Sequence, residues 1–324
     1  MKKAIIYVFS GTGNTRFVAE LYKKYLTDYE TTIYDVRSRS ILETDNLNKS
    51  EKKLVLKKNK REAFFDVPSP NDFDLIGFGH PVYGFNVPLP FFEFAKLLPK
   101  VQEKSSKKAF VFKTSGEGLY INEFSSQKLI ALLEKKGLSF VSDRHYVMPY
   151  NMIFRHTPSM VKREALYANA YAKLSCAEIL ADKKQNVHIS PFLRFWVPLF
   201  RIEWLYYRIA GPTLKVDMEK CVLCHKCEKN CPTENIHFDG KKFIFGHRCT
   251  MCTACSFGCP KCAISIGLLN GWRINGSYQI EKTSLDANIE TPQIGKEYDD
   301  LHPWLYKKYY RKIDKKLLEA GISL

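Results

Sequence analysis

Nowhere in its 324 residues does this chain run through eighteen apolar side chains in a row, so no segment is expected to cross a membrane as a helix. A secretion signal is missing too. The start, Met1-Lys2-Lys3-Ala4-Ile5-Ile6-Tyr7-Val8-Phe9, is basic and then apolar, but the apolar run is too short and no small-residue cleavage site comes before Gly11. Acidic residues are sparse: 34 Asp and Glu stand against 50 Lys and Arg, a net charge of +16. Such an excess suits nucleic acid, an anionic membrane face or an acidic protein. The lysines are scattered, however (Lys52, Lys53, Lys107, Lys108, Lys183, Lys184, Lys315, Lys316 among them), and no nucleic-acid-binding motif accompanies them. That argues against nucleic acid and leaves an acidic protein partner as the expectation. An apolar content of 45% is ordinary for a chain with a real core, and the length allows two domains.

Cysteine, by contrast, is plentiful and patterned. Eight of ten cysteines read Cys221-x2-Cys224-x2-Cys227-x3-Cys231-Pro232 and Cys249-x2-Cys252-x2-Cys255-x3-Cys259-Pro260. The copies lie 28 residues apart, and Ile236 and Ile264 hold the same offset within them, which marks an internal repeat. Structural zinc is the alternative, since it also uses C-x2-C pairs. One zinc takes four thiolates, however, usually as two separated pairs, and gives no reason for a third cysteine at the same step, twice over. The spacing resembles the bacterial ferredoxin run, in which three cysteines hold one cubane cluster and the fourth ligates the other. That resemblance implies two [4Fe–4S] clusters, one on Cys221, Cys224, Cys227 and Cys259, the other on Cys249, Cys252, Cys255 and Cys231. Thiolates suit iron–sulfur clusters because the ligands must be soft. Free thiols in such number, without a secretion signal, place the chain in a reducing cytoplasm. Two clusters near each other pass single electrons.

This chain departs from the ferredoxin pattern in places. Ferredoxins often carry glycine where it has Leu223, His225, Met251 and Thr253, which leaves ligation intact but bears on the potentials. Cys262 is expected to be a small buried residue rather than a ligand, Cys176 a buried structural thiol, and His225 and His247 neighbours of the clusters rather than ligands.

Residues 3–9 concentrate Ile, Tyr, Val and Phe as a buried strand, and Ser10-Gly11-Thr12-Gly13-Asn14-Thr15-Arg16 follows at once, with Phe17, Val18, Leu21, Tyr22 and Leu26 at helical spacing after it. Strand, glycine-rich turn and helix N-terminus make a phosphate site. No Gly-Lys-Ser/Thr follows, which excludes a nucleotide P-loop, and Arg16 stands where a dinucleotide fingerprint needs its third glycine. A loop of neutral hydroxyls suits one terminal phosphate monoester. The loop resembles the FMN-phosphate loop of flavodoxins. That resemblance continues through the strand of residues 73–79 into His80-Pro81-Val82-Tyr83-Gly84, and from a strand over 108–113 into Thr114-Ser115-Gly116-Glu117-Gly118-Leu119-Tyr120. It implies FMN held by Ser10, Gly11, Thr12, Gly13, Asn14 and Thr15 at the phosphate. Pro81, Val82, Tyr83, Gly84, Ser115, Gly116, Glu117, Gly118 and Tyr120 would surround the remainder, Tyr83 and Tyr120 being candidates to lie against the isoalloxazine ring. No acid–base pair or nucleophile stands out, so no catalytic residue is assigned, and Glu117 is expected to be a solvated loop residue.

Further strands are expected over 31–36 and 138–147, and helices over 89–98, 122–136 and 158–183. Residues 37–70 are lysine-rich and polar, a surface excursion. The aromatic segment 188–212, with Trp196, Trp204 and Arg194, Arg201 and Arg208 spaced by sevens, is expected to pack between domains, with peripheral membrane contact as the alternative. A last amphipathic helix is expected over 303–320. The whole chain resembles the EFR1-type ferredoxins, which fuse a flavodoxin-like domain to a two-[4Fe–4S] ferredoxin domain. Carried onto this sequence, the resemblance implies an α/β, doubly wound parallel sheet in an FMN-binding domain over 1–150. A helical connecting segment would span 151–214, a small α+β ferredoxin domain 215–268 and a tail 269–324. It implies an electron-transfer flavo-iron–sulfur protein serving redox partner proteins. The alternatives are a flavin-dependent reductase of a small organic substrate fed by the clusters, and a membrane-associated redox adaptor.

Overall fold

The computed structural model describes residues 1–37, 67–101, 107–184, 209–294 and 306–324. Strand β1 (Lys2–Val8) shows why the sheet forms: Ala4, Ile6 and Val8 enter one hydrophobic cluster, Ile5 and Tyr7 the other, and all five are fully buried. A strand buried on both faces belongs to a parallel sheet covered by helices. Four more strands join it, β2 (Tyr29–Asp35), β3 (Leu75–Pro81), β4 (Lys107–Ser115) and β5 (Leu138–Val147), all pairing in parallel. Their spatial order is β2-β1-β3-β4-β5, the flavodoxin-like doubly wound arrangement. The order reverses between β1 and β3, and ligands bind at the carboxyl ends of strands there.

Helix α1 (Asn14–Tyr25) lies on one face, while α2 (Leu89–Leu97) and α3 (Gln127–Glu134) bury Phe91, Phe94, Leu129 and Leu133 on the other. Two glycines of β3 tune the first face. A Cβ on Gly77 or Gly79 would come within 2.5 and 2.3 Å of the Phe110 and Phe112 rings, which β4 lays across them to stack on Tyr22 at 5.0 and 4.8 Å. The long helix expected over 158–183 is α4 (Pro158–Leu180). Thr157 caps it by accepting the Met160 N–H at 3.3 Å, and Pro158 occupies its first turn. Rather than only connecting domains, α4 covers the sheet beside α1, so the unit that buries the sheet runs past residue 150.

The cysteine repeat folds as a repeat. Its short helices α5 (Lys226–Lys229) and α6 (Ala254–Phe257) start at the same offset, and β6 (Lys215–Val216), β7 (Ile236–Phe238), β8 (Phe243–Phe245) and β9 (Ile264–Ser265) form two small antiparallel pairs, β6 with β9 and β7 with β8. Leu214, Ile236, Phe243, Phe245, Met251, Ile264 and Ile266 fill the space between. The chain then returns to the sheet unit through α7 (Ile280–Leu285), which packs on α4, and α8 (Lys308–Glu319), the helix expected over 303–320. Helix α8 buries Tyr309, Tyr310, Ile313 and Leu317, and the Tyr309 hydroxyl donates to the His145 carbonyl at 2.9 Å. Residues 38–66 of the lysine-rich excursion expected over 37–70, residues 185–208, which hold the spaced arginines of the aromatic segment expected over 188–212, and Trp304 and Leu305 lie outside the described residues. Among the described residues no helix is long and apolar enough to cross a membrane.

Candidate cofactor sites

A cavity of about 440 Å³ opens at the strand reversal, within the range of small-molecule sites. Ser10, Gly11, Thr12, Asn14, Thr15, Pro81, Val82, Tyr83, Gly84, Ser115, Gly116 and Glu117 all line it, so folding brings the three sequence-distant loops to one place. Gly13, Gly118 and Tyr120 are not among its lining. Gly13 instead caps α1 at φ +100°, a conformation that favours glycine. Tyr120 is 47% exposed and sits edge-on to Phe124, 4.7 Å away, because a 3₁₀ turn over Tyr120–Phe124 carries its ring off the cavity.

The first loop fits a phosphate. Ser10 Oγ closes it by accepting the N–H groups of Gly13 (3.2 Å) and Arg16 (3.4 Å). Among the described residues the N–H groups of Gly11, Thr12, Asn14 and Thr15 meet no protein acceptor, so four donors gather at the positive end of α1. Two of the side chains named for the phosphate are engaged elsewhere: Thr15 shares a hydrogen bond with Thr114 (2.8 Å), and the Asn14 amide donates to the Pro149 carbonyl (2.7 Å). Arg16 turns away to Glu20 and Asp35. The second loop is a tight reversal in which Tyr83 and Asn86 exchange backbone hydrogen bonds at 3.0 Å, with Gly84 and Phe85 both at positive φ.

The third loop is pinned from a quarter that sequence reading missed. Tyr150, just beyond β5, lies on Gly116 so closely that a Cβ there would meet its ring at 2.2 Å. Its hydroxyl donates to the Glu117 carboxylate, which also accepts the Asn122 amide at 2.8 Å. Burial, and then the Glu117 charge, raise the Tyr150 phenol well above its ordinary pKa, so it remains a donor. Glu117 is therefore a fastened residue, not a solvated one. From the tail, the Tyr306 hydroxyl donates to the Gly116 carbonyl at 3.0 Å. The one available signal for Tyr150 is its place directly after a parallel strand's carboxyl end.

The eight repeat cysteines separate into two sets. Cys231, Cys249, Cys252 and Cys255 surround one small cavity, and Cys221, Cys224, Cys227 and Cys259 surround another. These are the cross-paired sets that the ferredoxin-like spacing implies. Among the described residues no three potential ligands converge as a single ion requires. Backbone N–H groups of Asn235, Met251 and Ala263 point at Cys231, Cys249 and Cys259 sulfurs, each at 3.3 Å. The loops reach this shape through left-handed backbone at Leu223, His225 and Glu234 and at their repeat equivalents Met251, Thr253 and Cys262, with φ between 47° and 57°. Cys262 is exposed, contrary to expectation, and lines neither cavity. Cys176 is buried, as expected. Burial pushes the free thiols of Cys227 and Cys249 up to about 11 and that of Cys252 up to about 12. Such thiols are inert by themselves and lose their protons when a soft metal takes the sulfur.

The two kinds of site touch. A Cβ on Gly11 of the first loop would stand 2.7 Å from Cys252 Cβ, 2.8 Å from the Tyr83 hydroxyl and 3.3 Å from Cys252 Sγ. Met251 lines both the large cavity and the adjoining cysteine cavity.

Residues 214–237, which contain the first cysteine motif, match the 4Fe–4S binding domain family. No curated protein matches the chain. Similar solved structures include a NAD(P)H:quinone oxidoreductase from Methanothermobacter marburgensis (14% identity over 58% of this chain and 100% of that one, TM-score 0.39). Others are flavodoxin 1 from Bacillus cereus (16%, 58% and 99%, 0.35) and an FMN-bound flavoprotein from Lactobacillus acidophilus NCFM (19%, 45% and 93%, 0.29). Likeness of that degree carries no weight beside the strand order, which itself places the sheet in the flavodoxin-like class. A 4Fe–4S domain attached to a flavodoxin-like fold supports a flavin and iron–sulfur redox protein.

Proposed function

We propose that this chain relays electrons between FMN and two [4Fe–4S] clusters and passes them to protein partners, in the manner of the flavodoxin–ferredoxin fusions named EFR1-type ferredoxins. The observation that carries the reading is the contact of Gly11 with Cys252, which sets one cysteine foursome against the wall of the phosphate loop. FMN, when bound, supplies the ability to exchange two electrons with one partner and single electrons with another. The protein's part is placement. The free N–H groups of Gly11, Thr12, Asn14 and Thr15 would hold the phosphate, Tyr83 and the Gly116–Glu117 loop bound the cavity, and Tyr150 and Tyr306 hold that loop still. Apolar side chains around the cysteines exclude water and so bear on the potentials. The basic composition supports an acidic partner, and eight cysteines in cluster-type spacing support a reducing, cytoplasmic setting.

The test is anaerobic. Iron, acid-labile sulfide and flavin are measured per chain, and a reductive titration is followed by spectrum. About eight irons and one FMN, drawing electrons together, are expected. Zinc in place of iron, or iron with no flavin bound under saturating FMN, would sink the proposal.

A further inference from the structure

We infer that the flavin cavity is a composite site to whose wall the second cysteine loop contributes Met251, so that flavin binding is coupled to the cluster on Cys231, Cys249, Cys252 and Cys255 and not to the other. The inference rests on the reading that the cavity takes FMN. Met251 is the residue on which it turns. It stands between two cysteines of the second set, faces both cavities and holds left-handed backbone at φ 50°. That conformation is disfavoured for a non-glycine residue, and the Met251 N–H bond to Cys249 sulfur helps to hold it. Ligation of Cys249 and Cys252 by one cluster would clamp both ends of this short arc and fix where the Met251 side chain stands.

The loop is also tied to the sheet unit by a two-way clasp. The Asn151 amide donates to the Cys252 carbonyl at 2.8 Å, and the Thr253 hydroxyl donates to the Asn151 carbonyl at 3.0 Å. Asn151 is itself a wall of the flavin cavity. Beyond it, the Ile153 N–H bonds the Trp272 carbonyl at 2.8 Å, and Leu269 and Trp272 complete the mouth. Among the described residues nothing comparable joins the first set to the cavity: none of Cys221, Cys224, Cys227 and Cys259 lines it, and neither does any residue of 222–226. Order imposed on the second loop by its cluster is order that the flavin need not impose. Coupling between binding sites is reciprocal, so bound flavin protects that cluster in turn.

The experiment uses the full chain, reconstituted anaerobically, with FMN affinity read by flavin fluorescence and iron counted in parallel. Met251→Ala is expected to weaken FMN binding about tenfold with iron unchanged. Cys252→Ser is expected to weaken it at least as much, and Cys224→Ser, an equal insult to the other set, to leave it as in the parent. In the parent, FMN is expected to slow the release to a chelator of half the iron only. FMN affinity unchanged in both Met251→Ala and Cys252→Ser would overturn the inference, as would equal weakening by Cys224→Ser. A parent chain that binds no FMN would instead sink the reading beneath it.

Discussion

Cys262 and Glu234 occupy equivalent places in the two copies of the repeat, each three residues past a fourth cysteine and each in left-handed backbone. The shared backbone explains Cys262 as a turn residue whose sulfur is incidental. Replacing it with glycine should therefore keep the full iron content and leave stability unchanged or raised by up to about 1 kcal/mol, since strain is relieved against added chain entropy. Iron analysis and a denaturation midpoint check this, and loss of half the iron would make Cys262 a ligand. Gly116 makes the opposite case. A methyl there would meet the Tyr150 ring at 2.2 Å, and the ring cannot retreat while its hydroxyl is held on Glu117. Gly116→Ala should weaken FMN binding by about tenfold or more, a loss of about 1.4 kcal/mol, with iron content intact.

Two of the strands that end at the cavity carry a buried histidine near that end. His80 of β3 is fully buried, its Nδ1 hydrogen-bonded to the Pro81 carbonyl at 2.9 Å and its Nε2 without a partner among the described residues. Burial lowers its pKa from 6.5 to about 3. His145 of β5 is lowered too, first by burial and then by Lys113. Both stay neutral in the folded chain while the unfolded chain takes up protons below pH 6.5. Stability should thus fall as pH drops from there towards 3, by about 1.4 kcal/mol per pH unit for His80, with His145 acting in the same direction. His80→Asn should lower stability at pH 7 yet flatten this decline, as denaturant midpoints across the range would reveal; an unaltered slope would refute it. The sheet and the three loops were legible because strand periodicity and glycine-rich strand ends are local signals. The grouping of the cysteines around two cavities is the one that the resemblance to the ferredoxin run implies. Tyr150 and Asn122 were not legible, because their roles arise only when β5 and the 3₁₀ turn over Tyr120–Phe124 meet the third loop. Tyr120 misled for the same reason, its direction being set by that turn and not by its place in the motif.

For the whole molecule, one fact of arrangement matters most. The cysteine set nearest the flavin cavity is buried or half-buried, whereas the other contains the exposed Cys224, preceded by Val222 and Leu223 at 54% and 46% exposure. No local pattern announces this polarity, since the contact between Gly11 and Cys252 joins distant parts of the chain. If electrons move along the line from cavity to second set to first set, the first set is the port. Its cavity is lined by Lys226 and Lys261 and, among the described residues, by no acidic side chain. An apolar patch beside two lysines suits an acidic one-electron carrier, because charge speeds encounter and apolar contact excludes water at the point of transfer. Electron transfer to such a carrier should slow as salt rises, and Lys226→Glu with Lys261→Glu should slow it at low salt while removing most of that salt dependence. Equilibration between flavin and clusters within the chain, followed by rapid mixing, should be untouched by the same changes. A double variant that keeps the parent's rate and salt dependence would place the port elsewhere. One that alters the internal step as well would show that these lysines set the cluster's potential instead of receiving a partner.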